Sequence, residues 1–579
     1  MLRPEVRQAI GTATIDHAWS LIERFSTLTR AHPGDVETAA RDIVARLTAL
    51  GVPVTVHEPE LFLSIPGPAQ VRVGAASYRA KPMAMSRPTA GTTAPLLYLP
   101  NQQDPSLEEF FQRPSGSDRD HEARGRIVIT EGFGMPGKVA HYEALGAVGL
   151  IAVNPGTNAH WGICTTVWGT PDLYDLPRKP SIPVVAVNNA DGRALMAQAG
   201  RGEVGTIEAD LEEGWFRSPI PVVKIAGTDE AEPFVLLHGH YDSWDVGVGD
   251  NAVGDGTMLE IARVLWTRRA DLKRSVWIAW WPGHSTGRYA GSTWFADHYA
   301  AELYQSCIAQ VNCDSPGCRW ATEYLDVSWM SETETFAKAI IKDIAGKEAR
   351  GERPYQAGDY SFNNIGISSY FMLLSTMSPE DRAAKGYYAV GGCGANIAWH
   401  TEDDTMEIAD RTILLTDIKI YLAAVMEAAN ATIAPFDFAA TLREFSGTLD
   451  RYQRAAAEVF SFEPSRDAIA ALGAAVGALS ATAAHLADRG PADPAVRRIN
   501  HAIRRLARHL VPVNFTTRPG FFHDEAEQIP PLPDLAPATG IPAADGYRRG
   551  FIRTHLTRGQ NRFVAALDDA RRDVESALA

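Results

Sequence analysis

From Pro221 to Ala434 the chain alternates short apolar runs with stretches of helical period, and this alternation limits the fold more than any other feature. The runs FVLLHG (Phe234–Gly239), SVWIAWW (Ser275–Trp281), IAQVNC (Ile308–Cys313) and SSYFML (Ser368–Leu373) predict buried strands. The segments at about Ala252–Thr267, Ser292–Leu303 and Thr333–Ile344 carry apolar residues at helical spacing and predict amphipathic helices. Strands separated by helices call for a mostly parallel sheet with helices on both faces.

The flanks have a different texture. Helical spacing runs from Asp16 to Leu50, with Pro33-Gly34-Asp35 opening a second helix. From about Pro59 to Ile220 short strands and small helices follow. GRIVITEGF (Gly125–Phe133), AVGLIAV (Ala147–Val153) and PSIPVVAV (Pro180–Val187) read as strands, and Lys138–Leu145 as a helix. After about Ala434 the strands cease. Alanine-rich helical segments run to Leu510, a Pro-rich connection follows (Ile529–Ala544), and a last helix closes the chain. At 579 residues several domains are expected.

A formal net charge of −15, from 70 acidic against 55 basic side chains, argues against a nucleic-acid surface. Five cysteines, an odd and sparse set, give no disulfide framework and suit a reducing compartment. The N-terminus lacks the pattern of a secretory leader. No run of about 18 apolar residues stands out as a membrane span. The expectation is a cytoplasmic protein.

Chemistry in an open α/β sheet belongs beyond the carboxyl ends of the strands. There the first run leads into HGHYDSWDVGVGDN, with His240, Asp242 and Asp250, and the third ends at Asp314. The fourth leads through the glycine-rich GGCGANIAWHTEDDT to His400. Imidazoles with bridging and terminal carboxylates suit a pair of divalent ions about 3.5–4 Å apart. Asp242, two residues beyond His240, is placed to accept the second imidazole N–H.

HGHYDSW…GDNAVGDG, NCDS and HTEDDT resemble the motifs of the zinc aminopeptidase family that includes glutamate carboxypeptidase II and the transferrin receptor. The resemblance implies an α/β catalytic domain over residues 1–56 and 221–434. It implies an inserted protease-associated α+β (apical) domain over 57–220, on GRIVITEGF…KVAHYEALGAVGLIAVNPG and PSIPVVAVNNADGRAL. It also implies a helical dimerisation domain over 435–579, and with it a homodimer. By resemblance, His240 and Asp314 would hold one metal, His400 the other, and Asp250 would bridge them. Asp242 would orient His240, and Asp359, in GDYSFNNIGI, matches an aspartate that supports the site from behind. Zinc is the first expectation, with manganese, iron or cobalt as alternatives, at one or two ions per chain.

One departure matters. In the catalytic members the strand matching Ser275–Trp281 is followed by two glutamates, the first a general base and the second a metal ligand. Here the chain reads WWPGHSTGRYAGSTW, with no acid in that stretch. One alignment puts His284 on the base and Ser285 on the ligand; the other puts Ser285 and Thr286 there. General-base catalysis is worth about 10²–10⁴-fold. Three readings stay open: His284 replaces the ligand or the base, the site performs another reaction such as an elimination, or the chain is a binding protein. The first is preferred, as a hydrolase of a peptide-like or amide-containing small molecule.

Among other residues, Arg288 could pair with a substrate carboxylate, or lie on the surface. Trp399 is a candidate wall of the site, whereas Trp280 and Trp281 should face opposite sides of the sheet. Asp255 reads as a solvated acid in the first turn of a helix. Cys313 and Cys393 read as buried and inert.

Overall fold

The computed structural model describes residues 2–101 and 116–579. At its centre is a five-stranded sheet in the order Thr55–His57, Ile220–Ile225, Arg274–Trp281, Glu230–His240, Cys307–Asn312. Glu230–His240 runs parallel to both neighbours, whereas Ile220–Ile225 pairs antiparallel with Arg274–Trp281 on one side and with the edge strand Thr55–His57 on the other. The sheet is therefore mixed, more so than the alternation alone predicts. Register sets His240 beside Trp281 and His238 beside Asn312, so the strand ends that carry chemistry lie level.

Alternation along each strand divides the core. Val235, Leu237, Ile278 and Trp280 enter one apolar cluster, and Phe234, Leu236, Ala279 and Trp281 enter another on the opposite face. Trp280 and Trp281 are thus both fully buried, on opposite sides. Helices Asp16–Phe25, Pro33–Ala49, Val253–Thr267 and Arg411–Asn430 contribute to the first cluster. The Asp410 carboxylate caps Arg411–Asn430 by accepting from the N–H groups of Thr412 and Ile413.

Two predicted elements differ. Ser368–Leu373 is not a regular strand. It lies beside Cys307–Asn312 through the bonds Gln310 N–H to Ser368 O (3.0 Å) and Tyr370 N–H to Gln310 O (3.4 Å). Phe371, at φ 61°, adopts the left-handed region there, a conformation foreign to a regular ladder. The helix expected over Ser292–Leu303 is two helices, Ala290–His298 and Ala300–Ser306, broken at Tyr299 (φ −104°, ψ 22°).

Residues Glu60 to Arg217 supply a closed barrel of seven strands. Its parallel strands Ile127–Glu131, Gly149–Val153 and Val184–Val187 match the three apolar runs of that region. Beyond Ala434 come the helices Phe438–Ala456, Glu463–Leu486, Pro494–Phe515 and Gly546–Leu578, with a shared apolar core. Side chains of Asp437, Asp493 and Asp545 cap three of them.

Glu463–Leu486 corrects one expectation. By length and composition it is apolar enough to cross a membrane, with mean hydropathy 1.6 over its best window. Alanines and glycines supply that value, which a search for bulky apolar runs passes over. Leu472, Val476 and Leu479 turn into the bundle, whereas Ala470, Ala474, Gly477 and Ala481 are exposed.

Candidate active site

Beyond the ends of the parallel strands the structure brings together His240, Asp250, His284, Asp314 and His400. His240 Nε2 lies 3.0 Å from Asp250 Oδ1 and 3.6 Å from Asp314 Oδ2, and His400 Nε2 lies 3.0 Å from Asp250 Oδ2. Asp250 thus stands between the two imidazoles. His240, His284 and Asp314 each offer a ligand atom within 4.8 Å of the others, an arrangement able to hold a metal ion.

The electrostatics follow from crowding in a buried space. Burial lowers the His240 pKa, but hydrogen bonds and charge from Asp250 and Asp314 outweigh it and hold the imidazole well above its ordinary value. Burial likewise pushes the Asp250 carboxyl up, and His240 and His400 together bring it well below the usual range.

The loop from His240 to Asp250 is held from several sides. Gly247 sits at φ 45°, where an added Cβ would meet Asp250 O at 2.3 Å and Ser243 Cβ at 2.4 Å. Asp404 accepts the backbone N–H groups of Gly249 (2.6 Å) and Asp250 (2.9 Å). Burial raises its carboxyl to about 7. Arg30, fully buried, donates to the carbonyls of Tyr241 (2.6 Å), Val246 (2.7 Å) and Gly247 (3.0 Å). Neither residue was singled out from the sequence. Asp404 lies inside HTEDDT, four positions past His400, and its spacing is its only signal.

Asp242 has a different job from the one expected. His240 Nδ1 donates to the backbone carbonyl of Asp242 (2.9 Å), with the carboxylate 3.7 Å away. That carboxylate instead accepts the N–H groups of His284 (3.1 Å) and Ser285 (2.8 Å), which start the short helix His284–Gly287. Two free N–H groups at a helix start attract the carboxylate more than one imidazole N–H does.

His284 Nδ1 meets Asp359 Oδ2 at 3.0 Å, and Ser292 Oγ donates to Asp359 Oδ1 at 2.7 Å. Asp359 therefore fixes the ring that stands where the glutamate pair was expected, leaving Nε2 free to face His240 and Asp314. Burial would raise the Asp359 carboxyl, but His284 holds it below the ordinary range.

Other expectations are corrected. Asp255 is fully buried, with neither oxygen hydrogen-bonded, and burial pushes its carboxyl well above the usual range. It is not solvated, because helix Val253–Thr267 is buried along nearly its whole length. Arg288 is not a surface residue either, being 4% exposed. The five cysteines are buried and free.

A cavity of about 80 Å³ opens onto these groups. Its walls include Ser285, Arg288 and Trp399, and also Met83, Phe133 and Trp161 from the barrel. Trp399 stacks on His400, ring centroids 3.6 Å apart. The barrel grips the His400 loop through bonds to backbone carbonyls. Trp161 N–H donates to His400 O (2.9 Å), His400 Nδ1 donates to Trp161 O (3.0 Å), and His160 Nδ1 donates to Trp399 O (2.6 Å).

Comparison with known proteins agrees with this geometry. Mouse carboxypeptidase Q is 27% identical over 270 residues, covering 44% of this chain and 53% of that protein. Aminopeptidase YwaD of Bacillus subtilis is 26% identical over 317 residues, covering 53% and 63%. The chain spans about half the length of the mouse and rat relatives it matches. A zinc aminopeptidase from Bacillus subtilis superposes with a TM-score of 0.51 at 22% identity, covering 72% of this chain and 95% of that one. A peptidase M28 precursor from Shewanella amazonensis gives 0.53 at 17% identity, covering 74% and 96%. Residues 222–425, which carry most of the sheet and all five clustered side chains, match the model of peptidase family M28.

Proposed function

We propose that the chain is a metal-dependent hydrolase of an amide bond in a peptide-like small molecule. The observation that carries this is the His240–His284–Asp314 cluster, with Asp250 reaching from it to His400. The donors suit a divalent cation: His240 Nε2 and Asp250 Oδ1 are both buried and face each other at 3.0 Å, with Asp314 Oδ2 3.6 Å from the same nitrogen. Imidazole with carboxylate fits zinc first, and also manganese, iron or cobalt. In this reading His240, His284, Asp314 and Asp250 hold one ion, and Asp250 with His400 offers a second, two-donor position. A bound divalent ion would polarise a carbonyl and make water a better nucleophile.

The residues of the chain then orient and exclude. Asp359 holds His284 by Nδ1 and keeps Nε2 aimed at the donor cluster. Asp404 fixes the backbone that presents Asp250. Asp242 anchors the His284–Ser285 turn. Trp399 and the barrel residues Met83, Phe133 and Trp161 wall the cavity with apolar surface. With Nε2 of His284 engaged as a donor, no glutamate takes the proton from water, so turnover is expected to be slow.

We assign the barrel to a protease-associated role, supported by Met83, Phe133 and Trp161 in the cavity wall. The small-residue face of Glu463–Leu486 supports self-pairing of the helical part as a homodimer. Five unpaired, buried thiols support a reducing compartment, the cytoplasm.

Metal content tests the reading. Elemental mass spectrometry on untagged protein should find one tightly held ion per chain, with a second, weaker one after incubation with excess zinc. His284→Ala should lower the tight occupancy. A chain that takes up no zinc, manganese, iron or cobalt would sink the enzyme reading and leave a binding protein.

A further inference from the structure

Arg288 stands out among the buried arginines of this chain. Arg30 donates to the carbonyls of five residues, Phe25, Leu28, Tyr241, Val246 and Gly247. Arg508 donates to the carbonyls of Tyr304, Gly366, Leu303 and Cys307. Arg274 pairs with Glu230 and reaches the carbonyl of Ala431. Each is satisfied, as a buried guanidinium must be if it serves only the fold. Arg288 is 4% exposed, and its Nε and Nη2 are buried without a hydrogen-bond partner.

Its position explains what the missing partner is. Arg288 lines the cavity four residues past His284. Among the described residues the only acids at that wall, Asp250 and Asp314, are committed to His240 and His400. Arg288 and Tyr289 both adopt left-handed backbone, at φ 48° and 70°, a region that non-glycine residues disfavour. The guanidinium lies 4.9 Å from the Tyr289 ring centroid but has no acid partner, and strain at consecutive residues and a buried cation without a counter-charge both oppose folding.

The rest of the wall defines the remainder of the ligand. Met83, Phe133, Met135, Ile163, Met372 and Trp399 make it apolar. Among the described residues no uncommitted acid lines the cavity to receive an ammonium group. We infer that Arg288 is a specificity-determining residue that binds a substrate's free carboxylate. The site thereby selects an N-acylated apolar amino acid unit, either alone or as the carboxyl-terminal residue of a short peptide, over a free amino terminus. The planar guanidinium fork suits a carboxylate in bidentate fashion. The inference rests on the hydrolase reading for which bond is cleaved, but the carboxylate site itself does not require the metal.

The test compares binding of N-acetyl-L-phenylalanine with that of its carboxyl amide, by titration calorimetry on zinc-loaded and chelator-stripped protein. The acid should bind at least about tenfold tighter than the amide in both forms, the size of one charge-assisted contact. Arg288→Met should abolish that preference without lowering the melting temperature, because it removes an unpaired cation. Arg288→Lys should retain part of the preference, and serves alone if the methionine variant does not fold. Equal binding of acid and amide overturns the inference, as does no binding of either at millimolar concentration. So does a preference that survives Arg288→Met or that exists only in the zinc-loaded form, where the ion itself would be the receptor. A protein that takes no zinc yet keeps the Arg288-dependent preference would sink the hydrolase reading and leave this one standing.

Discussion

The imidazole of His284 lies flat against that of His240, ring centroids 3.7 Å apart and planes 13° from parallel. Since His240 holds its proton well above the usual range in the absence of an ion, metal must displace it. Zinc affinity should therefore fall as pH drops, by about tenfold per pH unit for each proton displaced, and this dependence should extend above neutrality. Competition with a chromophoric chelator between pH 6 and 8 checks it. A flat profile would show that the cluster does not receive the ion.

Asp359 fixes His284 by one bond and is itself fixed by Ser292. Asp359→Ala should free the ring to rotate and lower zinc affinity by about 10–100-fold with the fold intact. Circular dichroism with chelator competition measures both. Unchanged affinity would remove His284 from the ligand set.

Strand ends made His240, Asp250, Asp314 and His400 legible, because a βα sheet delivers loop residues to one edge whatever their spacing in the chain. What the sequence hid lies in contacts across large separations. His400 and Trp161 exchange two hydrogen bonds, one backbone to backbone and one from the His400 ring to the Trp161 carbonyl, although they lie 239 positions apart. Backbone bonds leave no side-chain signature. Asp255 looked solvated because first-turn acids usually are, and only the burial of helix Val253–Thr267 on all sides reverses that. The unpaired state of Arg288 is likewise a property of packing, since its sequence neighbours do not distinguish it from a surface arginine.

Asp404 accepts two backbone N–H groups, one to each oxygen. Asparagine can accept only one of them and turns an N–H₂ donor toward the other. Asp404→Asn should therefore loosen the Asp250 backbone and weaken zinc binding by about 10–100-fold. Its effect should differ from that of Asp359→Ala by loosening the Asp250 position, so the second, weaker ion is lost together with the first. Retention of both ions would show that Asp250 is held well enough by Gly247 and the strand end.

Arg30 joins the first helices to the loop that bears His240 and Asp242. Its Nε and both Nη atoms reach carbonyls of Tyr241, Phe25, Val246 and Gly247, and Ser243 Oγ accepts the Arg30 backbone N–H at 3.3 Å. Lysine carries the charge but cannot match a fork of acceptors arranged around a plane. Arg30→Lys should leave several of these carbonyls buried and unpaired, at about 1–3 kcal/mol for each group left without a partner. Arg30→Met should cost more, because no donor remains at all. Urea unfolding of the metal-free protein separates this from any loss of ion binding, since the acceptors are carbonyls and need no metal. If Arg30→Met unfolded at the wild-type midpoint, the loop would be held by Asp404 and Gly247 alone, and the arginine would be a passenger in the site's framework.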